Sequence, residues 1–105
     1  MKIWMSFLKK YDMTQNSMYL VSTKATHVYS DIDYSKHNEI FLLFGKETKG
    51  LPEELLKSYL DKTIRIPMGY EIRSLNLSNS VAIVAYEVEK QCNFEGLKET
   101  SEYLL

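Results

Sequence analysis

The chain has few of the residues that bring special chemistry or long apolar segments. Cys92 is the only cysteine among 105 residues. An intrachain disulfide is therefore excluded, and the reducing cytoplasm is the expected compartment. The longest apolar runs, 40–44 and 81–86, are far too short to cross a bilayer. The amino terminus also lacks the apolar core and cleavage site of a signal peptide. These absences predict a cytoplasmic domain with no membrane segment.

Excess charge of either sign is also absent. Thirteen basic and fourteen acidic residues give a net charge of −1. A protein that binds nucleic acid by bulk electrostatics is normally clearly basic, so that class is disfavoured, whereas a local basic patch remains possible. There is no GxGxxG fingerprint and no Walker lysine, so a dinucleotide or nucleoside triphosphate site has no support.

What is present is a pattern of alternating strands and helices. Apolar residues at helical spacing near the start, including Ile3, Trp4, Phe7 and Leu8, predict an amphipathic helix. The run from Glu39 to Phe44 is the clearest strand, and its five consecutive apolar residues are typical of a strand covered on both faces. The predicted elements are a helix at 2–11, strands at 18–23, 39–44 and 63–66, a helix from Pro52 to about Leu60, and a helix from Asn76 to Gln91, with 27–34 as a loop that holds a short extended piece.

This order predicts an α/β domain with a parallel sheet. Three strands make a thin sheet, so the chain resembles the second half of a larger protein. The helix at 76–91 is apolar almost all round, with Leu77, Val81, Val84 and Val88 on one face. Such a helix is buried inside the domain or lies against a second subunit.

The three predicted strands end in small or polar loops: 22–24, 45–50 and 67–79. In open α/β sheets, ligands bind beyond the carboxyl ends of the strands, so these loops are expected to converge on one pocket. Gly45 and Gly50 either allow the backbone to approach a ligand or simply form turns, and their spacing does not decide between the two. Arg73 is the one basic residue of the loop before the last helix, and either a phosphate or carboxylate clamp or a surface salt bridge would explain it.

Other candidate groups carry less weight. His27 and His37 have no metal-ligand spacing and are predicted to be surface residues, so no metal site is expected. Cys92, near a helix end, is expected to be an inert small apolar residue rather than a nucleophile.

Two segments resemble a specific family. Phe44-Gly45-Lys46-Glu47-Thr48-Lys49-Gly50-Leu51-Pro52 resembles the second motif of the SpoU-type, or SPOUT, RNA ribose methyltransferases. Ile64-Arg65-Ile66-Pro67-Met68, followed by Arg73-Ser74-Leu75-Asn76-Leu77-Ser78-Asn79, resembles their third motif. Within that class the chain is most similar to the small TrmL-type tRNA 2′-O-methyltransferases, which act on the cytidine or uridine at the wobble position.

The resemblance implies a deep trefoil knot that binds S-adenosylmethionine, with the knot at about 17–91 of a single domain and a polar tail at 92–105. The positions expected to contact the cofactor are Val21, Gly45, Ile66, Ser74 and Leu75. Asn76 and Asn79 fall on the family's asparagine positions near the reaction centre, and Arg73 lies beside them. The implied partners are the anticodon stem-loop of a tRNA and a second copy of the chain in a homodimer.

One departure from the family is clear. Its first motif, an asparagine- and glycine-rich loop followed by an arginine, is not found, so the chain is expected to be truncated at its amino end. That arginine is the family's proposed activator of the ribose hydroxyl. The alternative to an active methyltransferase is therefore a non-catalytic knotted fragment that binds cofactor or RNA. A generic α/β interaction domain, whose glycines only make turns, is the third possibility.

Overall fold

The computed structural model describes residues 2–6, 17–45, 50–69, 76–98 and 100. They form five strands and two helices. The strands are β1 (Lys2–Ser6), β2 (Met18–Val21), β3 (His27–Val28), β4 (Glu39–Phe44) and β5 (Thr63–Arg65), and the helices are α1 (Glu53–Ser58) and α2 (Leu77–Gln91). Two single 3₁₀ turns, Tyr29–Asp31 and Leu60–Lys62, follow β3 and precede β5.

All five strands run parallel in one sheet, in the order β1-β4-β2-β5-β3. The predicted α/β class and parallel sheet are thus confirmed. The predicted number of strands is wrong, because β1 and β3 extend the expected three-stranded sheet at its two edges. Strand β3 itself is the short extended piece predicted within 27–34. The central strands are β4, β2 and β5, which are also the three that the sequence predicts.

The sheet is covered on both faces because side chains of successive strand residues point to opposite sides. Along β4, Ile40, Leu42 and Phe44 belong to a cluster that includes Val84 and Val88 of α2. We call it the α2-side cluster. Residues of the other face join a second cluster with α1, whose buried members are Met18, Leu20, Leu43, Leu51 and Leu56. The apolar run in β4 is therefore that of a strand buried on both faces, as predicted.

The predicted amino-terminal helix is wrong over its first part. Residues Lys2–Ser6 form β1, which pairs with β4 from Lys2↔Glu39 to Ser6↔Leu43. Within β1, Ile3 packs against the α2-side cluster, and the Trp4 ring stacks on Phe41 at a centroid distance of 6.2 Å. Five backbone positions paired with a buried strand outweigh a local helical spacing. The rest of the predicted helix lies outside the described residues.

Four further boundaries differ from the predictions. Strand β2 ends at Val21 rather than at Thr23. Helix α1 ends at Ser58 rather than near Leu60, because the backbone at Tyr59 leaves the helical region and a 3₁₀ turn follows. Pro52 occupies the N-cap position of α1, one residue before the first helical turn. Strand β5 ends at Arg65, one residue before Ile66.

Helix α2 agrees with its prediction. Val84 and Val88 are fully buried, and Leu77 and Val81 pack against the same cluster. Gln91 fastens the far end of α2, because its side chain accepts a hydrogen bond from the Tyr34 amide and donates one to the Ile32 carbonyl. Within the described ranges, no helix has the length and apolar character needed to cross a membrane.

Candidate functional site

The carboxyl ends of the three central strands lie side by side. Val21, the last residue of β2, is paired with Phe44 of β4 on one side and with Ile64 of β5 on the other. The Ser22 amide continues this pairing by donating a hydrogen bond of 3.0 Å to the Ile64 carbonyl. The structure therefore places three of the predicted site residues at one edge of the sheet: Val21, Gly45 and Ile66.

Two of the described side chains at this edge, Val21 and Ile66, are apolar. Val21 and Ile66 are both half-buried and both pack against the α2-side cluster. Their remaining exposed surface is apolar wall of the kind that a purine ring needs. Apolar side chains of this kind can line one side of a ligand site.

Gly45 is required by the shape of the loop between β4 and α1. A Cβ on Gly45 would lie 2.6 Å from the carbonyl carbon of Gly50 and 2.6 Å from the Leu51 nitrogen. A Cβ on Gly50 would meet nothing within 4 Å. Glycine is therefore required at Gly45 by the close approach of the loop's own backbone. A contact of Gly45 with the cofactor stays a prediction.

A turn follows β2 at the same edge. The Ala25 amide donates to the Ser22 carbonyl at 3.3 Å, and the Lys24 amide donates to Ser22 Oγ at 3.1 Å. The Lys24 side chain reaches across to α1, where its Nζ lies 2.5 Å from Glu53 Oε1. This hydrogen bond and the lysine charge hold the pKa of Glu53 below its usual value.

Asn76 caps α2. Its Oδ1 accepts hydrogen bonds from the Ser78 amide at 2.9 Å and from Ser78 Oγ at 2.7 Å. Because the oxygen is used by the cap, the amide nitrogen Nδ2 is the group with which Asn76 can reach a ligand. The next residue, Leu77, packs against the same cluster as Val21 and Ile66.

The remaining predicted site residues are placed only in part. Asn79 is exposed in the first turn of α2. Arg73, Ser74 and Leu75 lie outside the described residues, so their assignment stays a prediction.

The structure corrects one of the two histidine predictions. His27 is exposed as expected, but His37 is partly buried, with its Nε2 3.0 Å from the Tyr19 hydroxyl. Burial, with smaller contributions from Lys36 and Lys62, lowers the pKa of His37. His37 therefore belongs to a packed polar cluster rather than to the open surface.

Cys92 follows the last residue of α2 and is half-buried. Burial is the main cause that raises the pKa of its thiol. A raised pKa leaves little thiolate at neutral pH, as expected for an unreactive cysteine.

Comparison with known proteins shows which family the chain matches. Residues 1–86 match the SpoU rRNA Methylase family. A Yersinia pestis protein named tRNA (cytidine(34)-2′-O)-methyltransferase is 41% identical over 95 residues, covering 87% of this chain and 57% of that protein. A Listeria monocytogenes protein carries the same name provisionally and is 51% identical over 86 residues, covering 81% of this chain and 51% of that protein. The chain spans about half the length of the curated relatives it matches.

Solved structures give the same result. A Bacillus anthracis protein, provisionally described as an RNA methyltransferase, superposes with a TM-score of 0.76 at 36% identity and covers 82% of this chain and 55% of its own. A structure described as giving insight into 2-OH methylation of C/U34 on tRNA has a TM-score of 0.64 at 32% identity, with 74% and 50% covered. A SpoU methyltransferase from Streptomyces viridochromogenes, solved with the cofactor AdoMet, has a TM-score of 0.61 at 27% identity, with 77% and 29% covered.

Proposed function

This chain belongs to the SpoU rRNA Methylase family, and from that premise we propose that it carries the cofactor edge of a tRNA ribose 2′-O-methyltransferase. The methyl donor is S-adenosylmethionine, and the acceptor is the 2′-hydroxyl of the wobble nucleotide. The support for the acceptor is the name of the Yersinia pestis relative and the description of the C/U34 structure. The support for the donor is the AdoMet complex of the Streptomyces protein.

One observation carries the proposal: three parallel strands end level with one another inside the segment that matches the family. Ligands of open α/β sheets bind at such an edge. Val21 and Ile66 would hold the adenine, and Gly45 keeps the adjoining loop closed. Ser74 and Leu75 would complete the pocket, with Arg73 and Asn79 near the reaction centre.

The bound cofactor supplies an electrophilic methyl group on its sulfonium. The ribose hydroxyl is a weak nucleophile near neutral pH and requires a base or electrostatic help. Asn76 cannot be that base, because an amide does not take up the proton and its oxygen already accepts two hydrogen bonds. Its Nδ2 would instead donate a hydrogen bond that orients the substrate or the cofactor.

The partners follow from the same family. We infer that the anticodon stem-loop of a tRNA is the substrate and that two copies of the chain form a homodimer. We also infer that the chain forms a trefoil knot and that the protein acts in the cytoplasm. The absence of a large excess of positive charge is compatible with this inference if the basic surface is local.

The first test is calorimetric titration of the 105-residue chain with S-adenosylmethionine and S-adenosylhomocysteine. Micromolar binding, about −8 kcal/mol, supports a formed cofactor pocket. A folded chain that binds neither compound contradicts the proposal. A natural control is adenosine, which lacks the methionine part and would bind far more weakly.

The second test is transfer of a labelled methyl group to a tRNA transcript. Incorporation that disappears when the wobble ribose lacks its 2′-hydroxyl supports the proposed acceptor. Binding of the cofactor without transfer supports the non-catalytic alternative.

A further inference from the structure

The Lys24–Glu53 ion pair joins two parts of the candidate site that are far apart in the chain. Lys24 belongs to the turn that follows β2, and Glu53 lies in the first turn of α1, beyond the loop that follows β4. Strands β2 and β4 are paired up to Val21↔Phe44. The ion pair thus closes a ring of contacts. Strands β2 and β4 are paired through their backbones, and the segments that follow them are joined by the Lys24 and Glu53 side chains.

The turn at the β2 end of this ring is tied to β5 at both of its ends, because the Ser22 amide donates to the Ile64 carbonyl and His27 of β3 pairs with Ile64. Its hydrogen bonds at the Lys24 and Ala25 amides both go to Ser22 and are therefore local. Ala25 is buried, but Thr23 and Lys24 are exposed. The contact from Lys24 to α1 is consequently a long-range restraint on the exposed middle of this turn.

We propose that the Lys24–Glu53 ion pair positions the cofactor edge by holding the turn after β2 against α1. The inference rests on the proposed function, because it deepens the account of the same site. Lys24 and Glu53 are positioning residues, since neither is expected to contact the cofactor.

The expected effect is small. Both side chains are well exposed, at 61% and 64%, and exposed ion pairs contribute little. A loss of about two- to five-fold in cofactor affinity is the size that such a pair supports. Because salt screens exposed charges, with a Debye length of about 3 Å at 1 M, the effect is expected to vanish at high ionic strength.

The experiment measures S-adenosylmethionine affinity by calorimetry for Lys24→Met, Glu53→Gln and the double variant, at low salt and at about 1 M salt. At low salt each single variant is expected to bind two- to five-fold more weakly, and the double variant no more weakly than either. At high salt all proteins are expected to converge. The matched control is Glu54→Gln, which removes the same charge from the same helical turn and leaves the ion pair intact.

Charge reversal gives the second arm. Glu53→Lys places a cation near Lys24 and also near Lys57, which already acts electrostatically on Glu53. Adding Lys24→Glu restores an opposite-charge pair, so the double reversal is expected to bind the cofactor more tightly than Glu53→Lys alone. If loss of overall stability were the cause, the cofactor affinity would change in parallel with the unfolding midpoint. We expect this midpoint to be equal in the two reversal variants.

Amide exchange separates the failure of this inference from the failure of the proposed function. In Glu53→Gln, exchange at the Lys24 and Ala25 amides is expected to rise two- to five-fold, while exchange in β2 stays constant. If the unvaried chain binds no cofactor, the proposed function and the positioning of its pocket both fail, and the exchange rates alone decide whether the turn is held. If the chain binds cofactor but Lys24→Met equals the unvaried chain, or Glu54→Gln reproduces its loss, the positioning role is overturned.

Discussion

Asn76 serves the helix and the candidate site with different atoms of one side chain. Its Oδ1 caps α2 by accepting from Ser78, whereas its Nδ2 is available to a ligand. Aspartate is as good an N-cap as asparagine, but it has no amide nitrogen with which to donate. The two roles can therefore be separated by substitution.

We expect Asn76→Asp to change the free energy of unfolding by only a few tenths of a kcal/mol, and Asn76→Ala to lower it by about 1 kcal/mol. Both variants are expected to lose methyl transfer or cofactor affinity, because both lack Nδ2. Urea unfolding measures the first quantity, and the binding and transfer assays measure the second. Full activity in Asn76→Asp would show that only the cap matters.

Gly45 offers a second prediction at the residue scale. A Cβ there would meet backbone atoms of Gly50 and Leu51 at 2.6 Å, and backbone cannot turn aside as a flexible side chain can. Gly45→Ala is expected to lower the free energy of unfolding by about 1–3 kcal/mol, the usual range for overpacking, and to weaken cofactor binding. The measurement is urea unfolding beside titration calorimetry.

Gly50→Ala is the control for this prediction. It adds the same methyl group to the same loop, where nothing lies within 4 Å. It is expected to be neutral or to stabilise by up to about 1 kcal/mol. Equal losses in the two variants would mean that the loop needs glycine for its backbone freedom rather than for space.

At the scale of elements, α2 is held by its buried valines. Val84 is fully buried against residues from the central strands. Val84→Ala removes two carbon atoms from this cluster and is expected to lower the free energy of unfolding by about 2 kcal/mol, including the cavity. Ala82→Gly, at an exposed position of the same helix, is expected to cost about 1 kcal/mol through helix propensity alone. A smaller loss at Val84 than at Ala82 would contradict the buried role of this face.

The sequence predicts some elements well because their signals are local. The apolar face of α2 and the capping asparagine in front of it are both visible within a few turns of chain. The fully apolar run of β4 predicts a strand covered on both faces. β1 is different: its Ile3 and Trp4 suit a helix or a strand, and only pairing with β4 decides between them. β3 has two residues, His27 and Val28, which is too short for any periodic pattern.

Some features of the candidate site can likewise be predicted from the sequence, and others cannot. The convergence of Val21, Gly45 and Ile66 is predictable, because the carboxyl ends of neighbouring parallel strands share an edge. The Lys24–Glu53 ion pair is not predictable, since its partners are distant in sequence and exposed charges have many possible partners. The role of Gly45 is also invisible in the sequence, where a glycine that closes a loop looks the same as one that admits a ligand.

At the scale of the whole molecule, His37 makes the free energy of unfolding depend on pH. Its pKa in the folded state is lowered from 6.5, first by burial and then by Lys36 and Lys62, with Asp33 opposing. The unfolded chain therefore binds more protons, and stability rises with pH. The contribution is fully present above the unfolded pKa, and it declines as pH falls through 6.5 toward the folded pKa.

His37→Gln is expected to flatten this part of the stability curve while keeping a polar partner for the Tyr19 hydroxyl. The measurement is urea unfolding of both proteins between about pH 5 and pH 8. Asp33, whose pKa is lowered from 3.8, changes stability only at lower pH and does not interfere. An identical slope in the two proteins would assign the pH dependence to other groups.

The strand order has a consequence for how the molecule is made. In the described part of the chain, no two strands that follow each other in sequence are neighbours in the sheet. No β-hairpin can therefore form early and serve as a nucleus, and β1 and β2 must both wait for β4, which pairs with each of them. Long loops have to close before any strand gains a partner, so folding is expected to be slow for a chain of this size. A nascent chain released before β4 is complete would expose three unpaired strands, β1, β2 and β3, and it would depend on chaperones to escape aggregation.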